Sequence, residues 1–380
     1  MPRADLASEE RELLGGLDAQ SFLAQHWQKR ERLVRSAIAG FRGVLDRAEL
    51  FALAARDDVE SRLVAREAGR WRVEHGPFRA RDLARMPRVD WTLLVQGVNL
   101  HNRAADALLR RFAFIPYARL DDVMVSYATP GGGVGAHFDS YDVFLLQGEG
   151  RRRWRIARTR DLALVPDLPL KILARFRPTR ELVLEPGDML YLPPSVAHEG
   201  VALDACMTYS IGFRAPSAQS LATAFLDWLR DAVDMRGIYA DPALRATREP
   251  ARIDDALRNQ CGAMLARITW GERDVARFLG VHLSEPKPHV VFEPPKRPLA
   301  RSAFERRAAA RGVRLDARTQ FLYDAATMYV NGTAAQWPRG ARRALTALAN
   351  ERALPGAAVR GDSLIDALHA WYRDGFVEIA

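Results

Sequence analysis

The spacing of apolar residues changes twice along the chain. From about Ala7 to Arg85 these residues recur mostly at helical spacing, with one short strand-like piece. Between about Asp90 and Pro216 they instead fall in short segments that glycine and proline separate, such as DVMVSYAT, VFLLQGEG and CMTYSIGF. Segments of this kind predict an antiparallel barrel or a double-sheet jelly roll behind a helical flank.

The second change follows Pro216, where the apolar period lengthens to about 3.6 residues. The stretch SLATAFLDWLRDAVDM places its apolar side chains on one helical stripe, and the helical pattern continues to about Leu283. From Ser284 to Pro298 prolines are too dense for a helix interior, which indicates a linker. Beyond the linker, amphipathic helices and strand-like segments predict a small domain of the winged-helix type.

These changes predict an α+β multidomain protein. Its predicted parts are residues 1–215 with a barrel core at about 95–215, a helical region at 216–283, a linker at 284–298 and a C-terminal domain at 299–380. A length of 380 residues agrees with this division, because single cores stop growing near about 250 to 300 residues.

Composition narrows the class of protein without deciding its function. Hydrophobic residues make up 48% of the chain, which is usual for a soluble folded protein, and no apolar run is long enough to span a membrane. The segment MPRADLASEE lacks the apolar stretch of a secretion signal, and Cys206 and Cys261 suggest no disulfide framework, so we expect a cytoplasmic location. The formal charge of +9 either attracts anionic partners such as RNA or only reflects an abundance of arginine.

The segment TPGGGVGAHFDSYDV carries a candidate metal site. His137 and Asp139 are two residues apart, so on a strand both side chains point to the same side, which in a barrel would be the inside. A third candidate, His198, follows a Gly-Asp turn and a strand in EPGDMLYLPPSVAHEG. Two imidazoles and one carboxylate form the facial set that holds non-haem iron(II) and leaves positions open for oxygen chemistry.

The glycine-rich loop before His137 has a second interpretation. Gly131, Gly132, Gly133 and Gly135 resemble a phosphate-binding loop in composition, but no helical pattern follows them and their spacing differs from that of a Walker motif. We therefore interpret the loop as a tight turn that presents His137.

A cationic side chain lies on a predicted inward face. In RRRWRI the period-two rule places Arg152 on the same face as Trp154 and Ile156. A buried guanidinium needs a partner, and its planar fork fits a carboxylate. That carboxylate belongs either to a bound 2-oxo acid or to the protein itself; the pattern alone leaves both open.

The run HFDSYDVFLLQGEGRRRWRI resembles the signature of the bacterial ribosomal oxygenases, JmjC proteins of the cupin superfamily that hydroxylate an arginine of a large-subunit (50S) ribosomal protein. The segments PGDMLYLPPSVAHEG and YSIGFRAP fit as well, so the clearest resemblance covers about Asp121 to Pro216. Such proteins contain a JmjC barrel (a double-stranded β-helix), a helical dimerisation region and a winged-helix domain, in the order inferred above.

The resemblance implies roles for the residues of the predicted barrel. His137, Asp139 and His198 would bind Fe(II), and Arg152 would hold the distal carboxylate of 2-oxoglutarate, with O2 as the other cosubstrate. Ser126 is a candidate for a second contact with 2-oxoglutarate. The protein would act as a homodimer.

The resemblance also implies a substrate pocket. Asp122, Met124 and Tyr141 would surround the substrate arginine, in an arginine-containing loop of the ribosomal protein. The chemistry is suitable, because a carboxylate pairs with a guanidinium while an aromatic face and a thioether lie against its plane. For Met124 and Tyr141 ordinary core packing is the alternative.

Two other functions remain to be weighed. The same chemistry could act on a histidine or a methyl-lysine of another protein, although the acidic Asp122 favours arginine. A non-catalytic cupin and winged-helix protein could instead bind ribosomes or nucleic acid through its positive charge, and the basic run RGARRALTALANER keeps that question open.

Overall fold

The N-terminal flank contains four helices, in partial agreement with the prediction from the sequence. The computed structural model describes the backbone of residues 3–380 and the side chains of residues 8–380. The flank contains the helices α1 (Arg3–Leu13), α2 (Ala19–Gln25), α3 (Arg47–Ala54) and α4 (Ala80–Leu83). Acidic side chains cap two of them: Asp18 accepts the Ser21 N–H at 2.7 Å, and Asp46 forms a reciprocal capping box with Glu49.

The middle of the chain forms two antiparallel sheets. Their strands are β1 (Arg32–Val34), β2 (Ser61–Glu67), β3 (Arg70–His75), β4 (Trp91–Val95), β5 (Leu120–Ala128), β6 (Val143–Glu149), β7 (Arg152–Ala157), β8 (Arg180–Leu184), β9 (Met189–Leu192), β10 (Ala197–Ala202) and β11 (Cys206–Phe213). The larger sheet has the order β1-β9-β6-β11-β5-β4-β2-β3, and the smaller has the order β10-β7-β8. This arrangement is the double-stranded β-helix that the sequence predicts.

The larger sheet is covered on both faces, and β6 shows how. Phe144 and Leu146 point into the core that the N-terminal helices complete. Val143 and Leu145 point the other way, into a second core with Trp154 of the smaller sheet. Because side chains alternate along a strand, an unbroken apolar run such as VFLL fills both layers at once.

The sheet begins earlier in the chain than expected. The prediction of a helical flank with one strand-like piece is wrong for residues 61–75, where β2 and β3 form a hairpin that turns at Ala68 and Gly69. The barrel core was placed at about 95–215, yet β1 to β4 already belong to its larger sheet. The helix-forming residues in AREAGR conceal the hairpin, and pairing of β2 with β4 overrides their local preference.

The chain after the barrel contains helices and small sheets. The helices are α6 (Ala218–Ala232), α7 (Asp255–Leu265), α8 (Glu272–Ser284), α9 (Arg301–Arg311), α10 (Arg342–Glu351) and α11 (Asp362–Arg373), after the barrel helix α5 (Arg103–Arg110). The strands are β12 (Val313–Leu315), β13 (Phe321–Tyr323), β14 (Thr327–Val330), β15 (Thr333–Gln336), β16 (Ala353–Leu354) and β17 (Val377–Ile379). Within the described part of the chain, no helix has the length and apolar character that a membrane crossing requires.

The last domain has its own core and contacts the helical region. Phe304, Leu345 and Leu368 are fully buried in that core. Helix α8 packs against its β13–β15 hairpins, and the approach is so close that a Cβ on Gly280 would lie 2.3 Å from the Tyr329 ring. Helix α8, which ends where the proline-rich segment begins, therefore packs against the winged-helix domain.

Replacing Phe144 by alanine tests the importance of the helix-covered core. The Phe144 ring is fully buried, and its centroid lies 4.8 Å from that of Phe112 and 4.9 Å from that of Tyr191. Loss of these contacts should lower the free energy of unfolding of the barrel by about 3–5 kcal/mol in denaturant titrations. The exposed Val89→Ala should change it by less than about 0.5 kcal/mol, and equal effects of the two changes would contradict this account.

Candidate metal centre

Backbone pairing brings the two histidines together. The N–H of His137 donates to the carbonyl of His198 at 2.9 Å, and the N–H of His198 donates to the carbonyl of His137 at 2.8 Å. The Ser195 N–H donates to the Asp139 carbonyl at 2.8 Å, so the pairing extends along the segment. His137 lies in this isolated bridge and not in a longer strand, but the predicted alternation of side chains still applies.

The side chains of His137, Asp139 and His198 converge. One ligand atom from each lies within 4.8 Å of the others, and His198 Nε2 is 3.6 Å from Asp139 Oδ2. His137 Nδ1 lies 3.0 Å from the Gly135 carbonyl oxygen, and His198 Nδ1 lies 2.9 Å from that of Val196. Since a carbonyl only accepts, both Nδ1 atoms carry the hydrogen, and both Nε2 lone pairs are available for a metal.

The surroundings of His198 also favour a neutral imidazole. Burial and the nearby His137 imidazole lower the pKa of His198 to about 4, against a smaller opposite effect of Asp139. His198 is therefore neutral near pH 7, as a ligand must be. Two neutral imidazoles and one carboxylate fit a divalent transition metal that keeps open coordination positions.

The glycine-rich loop is shaped by its neighbours. Gly133 passes so close to β10 that a Cβ would lie 2.5 Å from the Gly200 carbonyl oxygen. Gly135 has a φ of +80°, where side chains are disfavoured, and a Cβ there would lie 2.9 Å from Ile172. The loop presents His137 as a turn, which agrees with the interpretation from its sequence.

Arg152 is buried as the alternation in β7 predicts. Its Nη1 donates to Ser126 Oγ at 3.1 Å, while Nε and Nη2 have no hydrogen-bond partner among the described residues. Its guanidinium carbon lies 5.8 Å from the centroid of the Trp154 ring. Of the two interpretations, an internal salt bridge is therefore not the one observed, and the guanidinium remains available to an external carboxylate.

One cavity of about 580 Å³ joins these groups. The predicted residues that line it are His137, Asp139, His198, Arg152, Ser126, Asp122, Met124 and Tyr141. Asp122, Met124 and Ser126 reach it from the same face of β5, as period-two spacing requires. Tyr141 is 39% exposed, which argues against ordinary core packing for that ring.

Asp122 is the buried acid of the cavity. Its Oδ2 accepts the Gly97 N–H at 3.0 Å and lies 3.5 Å from Lys287 Nζ. Burial raises the pKa of Asp122, an effect that Lys287 opposes. Burial also disfavours the Lys287 ammonium, but the carboxylates of Asp122 and Asp121 outweigh that effect and raise the pKa of Lys287.

Sequence reasoning missed several residues that line the cavity. Arg62 comes from β2, in the hairpin that was interpreted as helix, and Lys287 comes from the linker. Alternation along RLV in SRLVARE could have placed Arg62 on an inward face. No sequence signal places Lys287 near the barrel, because its position depends on how the linker folds back.

Comparisons with known proteins agree with the geometry. A family model described as "JmjC domain" matches residues 107–221, and one described as "ROXA-like winged helix" matches residues 256–378. The chain is 36% identical over 285 residues to "Ribosomal protein uL16 3-hydroxylase" of Escherichia coli K12, covering 74% of this chain and 75% of that protein. The chain belongs to the JmjC ribosomal oxygenase family. Another member, "Probable ribosomal oxygenase" of Haemophilus influenzae, is 38% identical over 205 residues, which is 53% of this chain and 50% of that protein.

Solved structures extend the family likeness to nearly the whole fold. The X-ray structure of E. coli YcfD superposes with a TM-score of 0.82 at 33% identity, covering 95% of this chain and 98% of that one. A second structure of YcfD, with a TM-score of 0.80 and the same identity and coverage, is a complex with cobalt and 2-oxoglutarate. The winged-helix match starts at residue 256, so it includes α7 and α8 of this ribosomal oxygenase; the boundary at 284–298 stays a prediction.

Substituting Gly133 by alanine tests whether the loop positions the metal site. The new Cβ would push the loop away from the Gly200 carbonyl and displace His137, so the dissociation constant for Co(II) should rise about tenfold or more. Absorption of bound Co(II) measures this affinity without turnover. Gly262→Ala in α7, where nothing lies within 4 Å of the new Cβ, should leave it unchanged; unaltered Co(II) affinity in Gly133→Ala would contradict the proposed role.

Proposed function

We propose that this chain is an iron(II)- and 2-oxoglutarate-dependent oxygenase that hydroxylates the β-carbon, the 3-position, of an arginine in a 50S ribosomal protein. One observation carries the proposal: the ligand atoms of His137, Asp139 and His198 share one cavity with the guanidinium of Arg152, which has no carboxylate partner among the described residues. The related ribosomal protein 3-hydroxylase supports the substrate class and the position of attack.

Each cosubstrate would have its own place in the cavity. His137, Asp139 and His198 would hold Fe(II), and Arg152 with Ser126 would hold the distal carboxylate of 2-oxoglutarate in a bidentate manner. Bound iron with 2-oxoglutarate and O2 supplies the oxidising power to replace a C–H bond by C–OH. The protein contributes position and exclusion of water, because most of these side chains are buried around the cavity.

Asp122 favours arginine among the possible substrate residues. Its buried carboxylate has a cationic neighbour, Lys287, only at Oδ2, and a guanidinium offers two parallel hydrogen bonds that neutral histidine cannot. Met124 and the exposed face of Tyr141 would flank the guanidinium plane. A non-catalytic binding protein would have no use for an unpaired, buried guanidinium at Arg152, which costs free energy without a ligand.

The helical region supports association with a second copy of the chain. Leu226, Leu265 and Trp270 have more than half of their surface exposed, at 59%, 65% and 54%. Several apolar side chains with this exposure in one region of the chain are typical of protein interfaces. We therefore propose a homodimer through residues 216–283, and the cytoplasm as the compartment in which it meets its ribosomal protein substrate. Contact with nucleic acid rests on charge alone and stays a prediction.

Mass spectrometry of a peptide substrate tests the activity. Incubation with Fe(II), 2-oxoglutarate, ascorbate and an arginine-containing peptide from the uL16 protein should add one oxygen, about 16 Da, at the arginine. Asp139→Ala should lose this product and also lose Co(II) binding, because a metal ligand is removed. Asp161→Ala, which changes a half-exposed carboxylate paired with Arg175 outside the cavity, should retain both properties.

The outcomes of this assay separate the candidate functions. Oxygen on a histidine peptide, or formaldehyde from a methyl-lysine peptide, would keep the oxygenase and replace the substrate. Absence of metal binding in the wild-type chain would favour the non-catalytic protein.

Sedimentation velocity tests the dimer. Leu226→Asp places a charge on an exposed apolar position of α6, so it should convert a dimer to a monomer of normal secondary structure. Leu203→Asp changes an exposed leucine on the barrel outside the helical region and should leave the dimer intact. A wild-type monomer at micromolar concentration would reject the proposed assembly.

A further inference from the structure

The linker between α8 and α9 inserts a lysine into the cavity of the barrel. Lys287 Nζ lies 3.1 Å from Asp121 Oδ1 and 3.5 Å from Asp122 Oδ2. The lysine lines the same cavity as His137 and Asp139. An ammonium thus lies against the carboxylate that the proposed function assigns to the substrate guanidinium.

The local sequence fixes the position of this lysine. Pro286 and Pro288 flank it, so proline rings set the backbone on both sides and restrict Lys287 itself to extended conformations. The Val290 N–H donates to the Lys287 carbonyl at 2.9 Å and closes a turn immediately after it. Arg214 holds the preceding helix to the barrel through the Leu283 carbonyl at 2.7 Å. The linker therefore delivers the ammonium from a defined backbone.

The two carboxylate oxygens of Asp122 differ in their hydrogen-bond partners. Oδ2 accepts the Gly97 N–H and lies beside the Lys287 ammonium, whereas no donor among the described residues is bonded to Oδ1. A guanidinium that binds in a bidentate manner requires both oxygens. The Lys287 ammonium must therefore leave Oδ2. It can then pair with Asp121 alone, which is already its nearer partner.

We propose that Lys287 is an internal competitor for the substrate's cation. In the free enzyme its ammonium neutralises Asp122; when the arginine enters, the ammonium withdraws onto Asp121 and the guanidinium takes Asp122. This inference rests on the proposed function, because that function identifies the entering cation as an arginine. Lys287 thereby limits substrate affinity and connects the linker to the substrate pocket.

The identity of the residue agrees with displacement. Lysines are scarce, since they occupy only positions 29, 171, 287 and 296 among 56 basic residues. An arginine at position 287 could form its own bidentate pair with Asp122, whereas an ammonium makes a single-point contact that a guanidinium can replace. The Lys287 side chain is 35% exposed, so solvent partly screens the ion pair that it gives up.

Binding of the arginine peptide to three variants tests the proposal. Fluorescence anisotropy, with Co(II) and 2-oxoglutarate present and O2 excluded, gives the dissociation constant without turnover. Lys287→Met should lower the dissociation constant of the peptide about threefold to fivefold, which corresponds to the loss of a partly exposed ion pair. Lys287→Arg should raise it by a similar factor, and Lys296→Met, an exposed lysine of the same linker, should leave it unchanged.

A combined substitution examines the role of Asp121. Asp121→Asn removes the alternative partner of the ammonium, so it should weaken peptide binding in the wild-type background. In the Lys287→Met background the same change should have a much smaller effect, because no lysine remains to be relocated. Equal effects in the two backgrounds would show that Asp121 acts on the peptide directly and would overturn the exchange.

Several outcomes reject the inference separately from the function. Unchanged or weaker binding by Lys287→Met overturns it, even if the wild-type chain adds oxygen to the peptide. Binding of N-acetyl-arginine amide, followed by ligand-observed NMR, repeats the comparison independently of the peptide sequence. If the dissociation constants of the variants follow the expected order but no oxygen is added, only the proposed reaction fails. If neither the wild-type chain nor Lys287→Met binds the peptide or N-acetyl-arginine amide, the competitor role of Lys287 fails.

Discussion

The reciprocal backbone hydrogen bonds between His137 and His198 are the constraint on which the site depends. They join two segments distant in sequence and fix the direction of both imidazoles. The same pairing brings Asp139 beside Ser195, and the glycine loop runs along β10 because Gly133 can approach Gly200 so closely. The convergence of the candidate metal ligands is thus a consequence of strand pairing.

The cavity contains charge that the fold leaves incompletely compensated. Burial raises the pKa of Asp122, and two nitrogens of Arg152 have no hydrogen-bond partner among the described residues. Both effects cost free energy in the free protein, since buried polar groups are normally paired. The imbalance favours ligands of opposite charge, namely a carboxylate at Arg152 and a guanidinium at Asp122.

The linker connects the C-terminal part of the chain to the substrate side of this cavity. Helix α8 packs on the winged-helix domain, and the segment that follows it carries Lys287 to the barrel. Pro286 and Pro288 stiffen the backbone on both sides of this lysine, so the exchange between Asp122 and Asp121 needs only its side chain to move. The wall of the pocket thus includes a residue from the segment that joins the helical region to the winged-helix domain.

The sequence by itself determined the periodic features of this protein. Alternation predicted the barrel strands, the inward face of Arg152 and the common face of Asp122, Met124 and Ser126, because side-chain direction on a strand is a local property. The tertiary structure alone decided which distant segments meet. It converted the AREAGR segment into a hairpin and placed Lys287 beside Asp122, and it left Arg152 without a carboxylate partner among residues 8–380. These outcomes depend on long-range pairing and burial, which no local pattern of residues encodes.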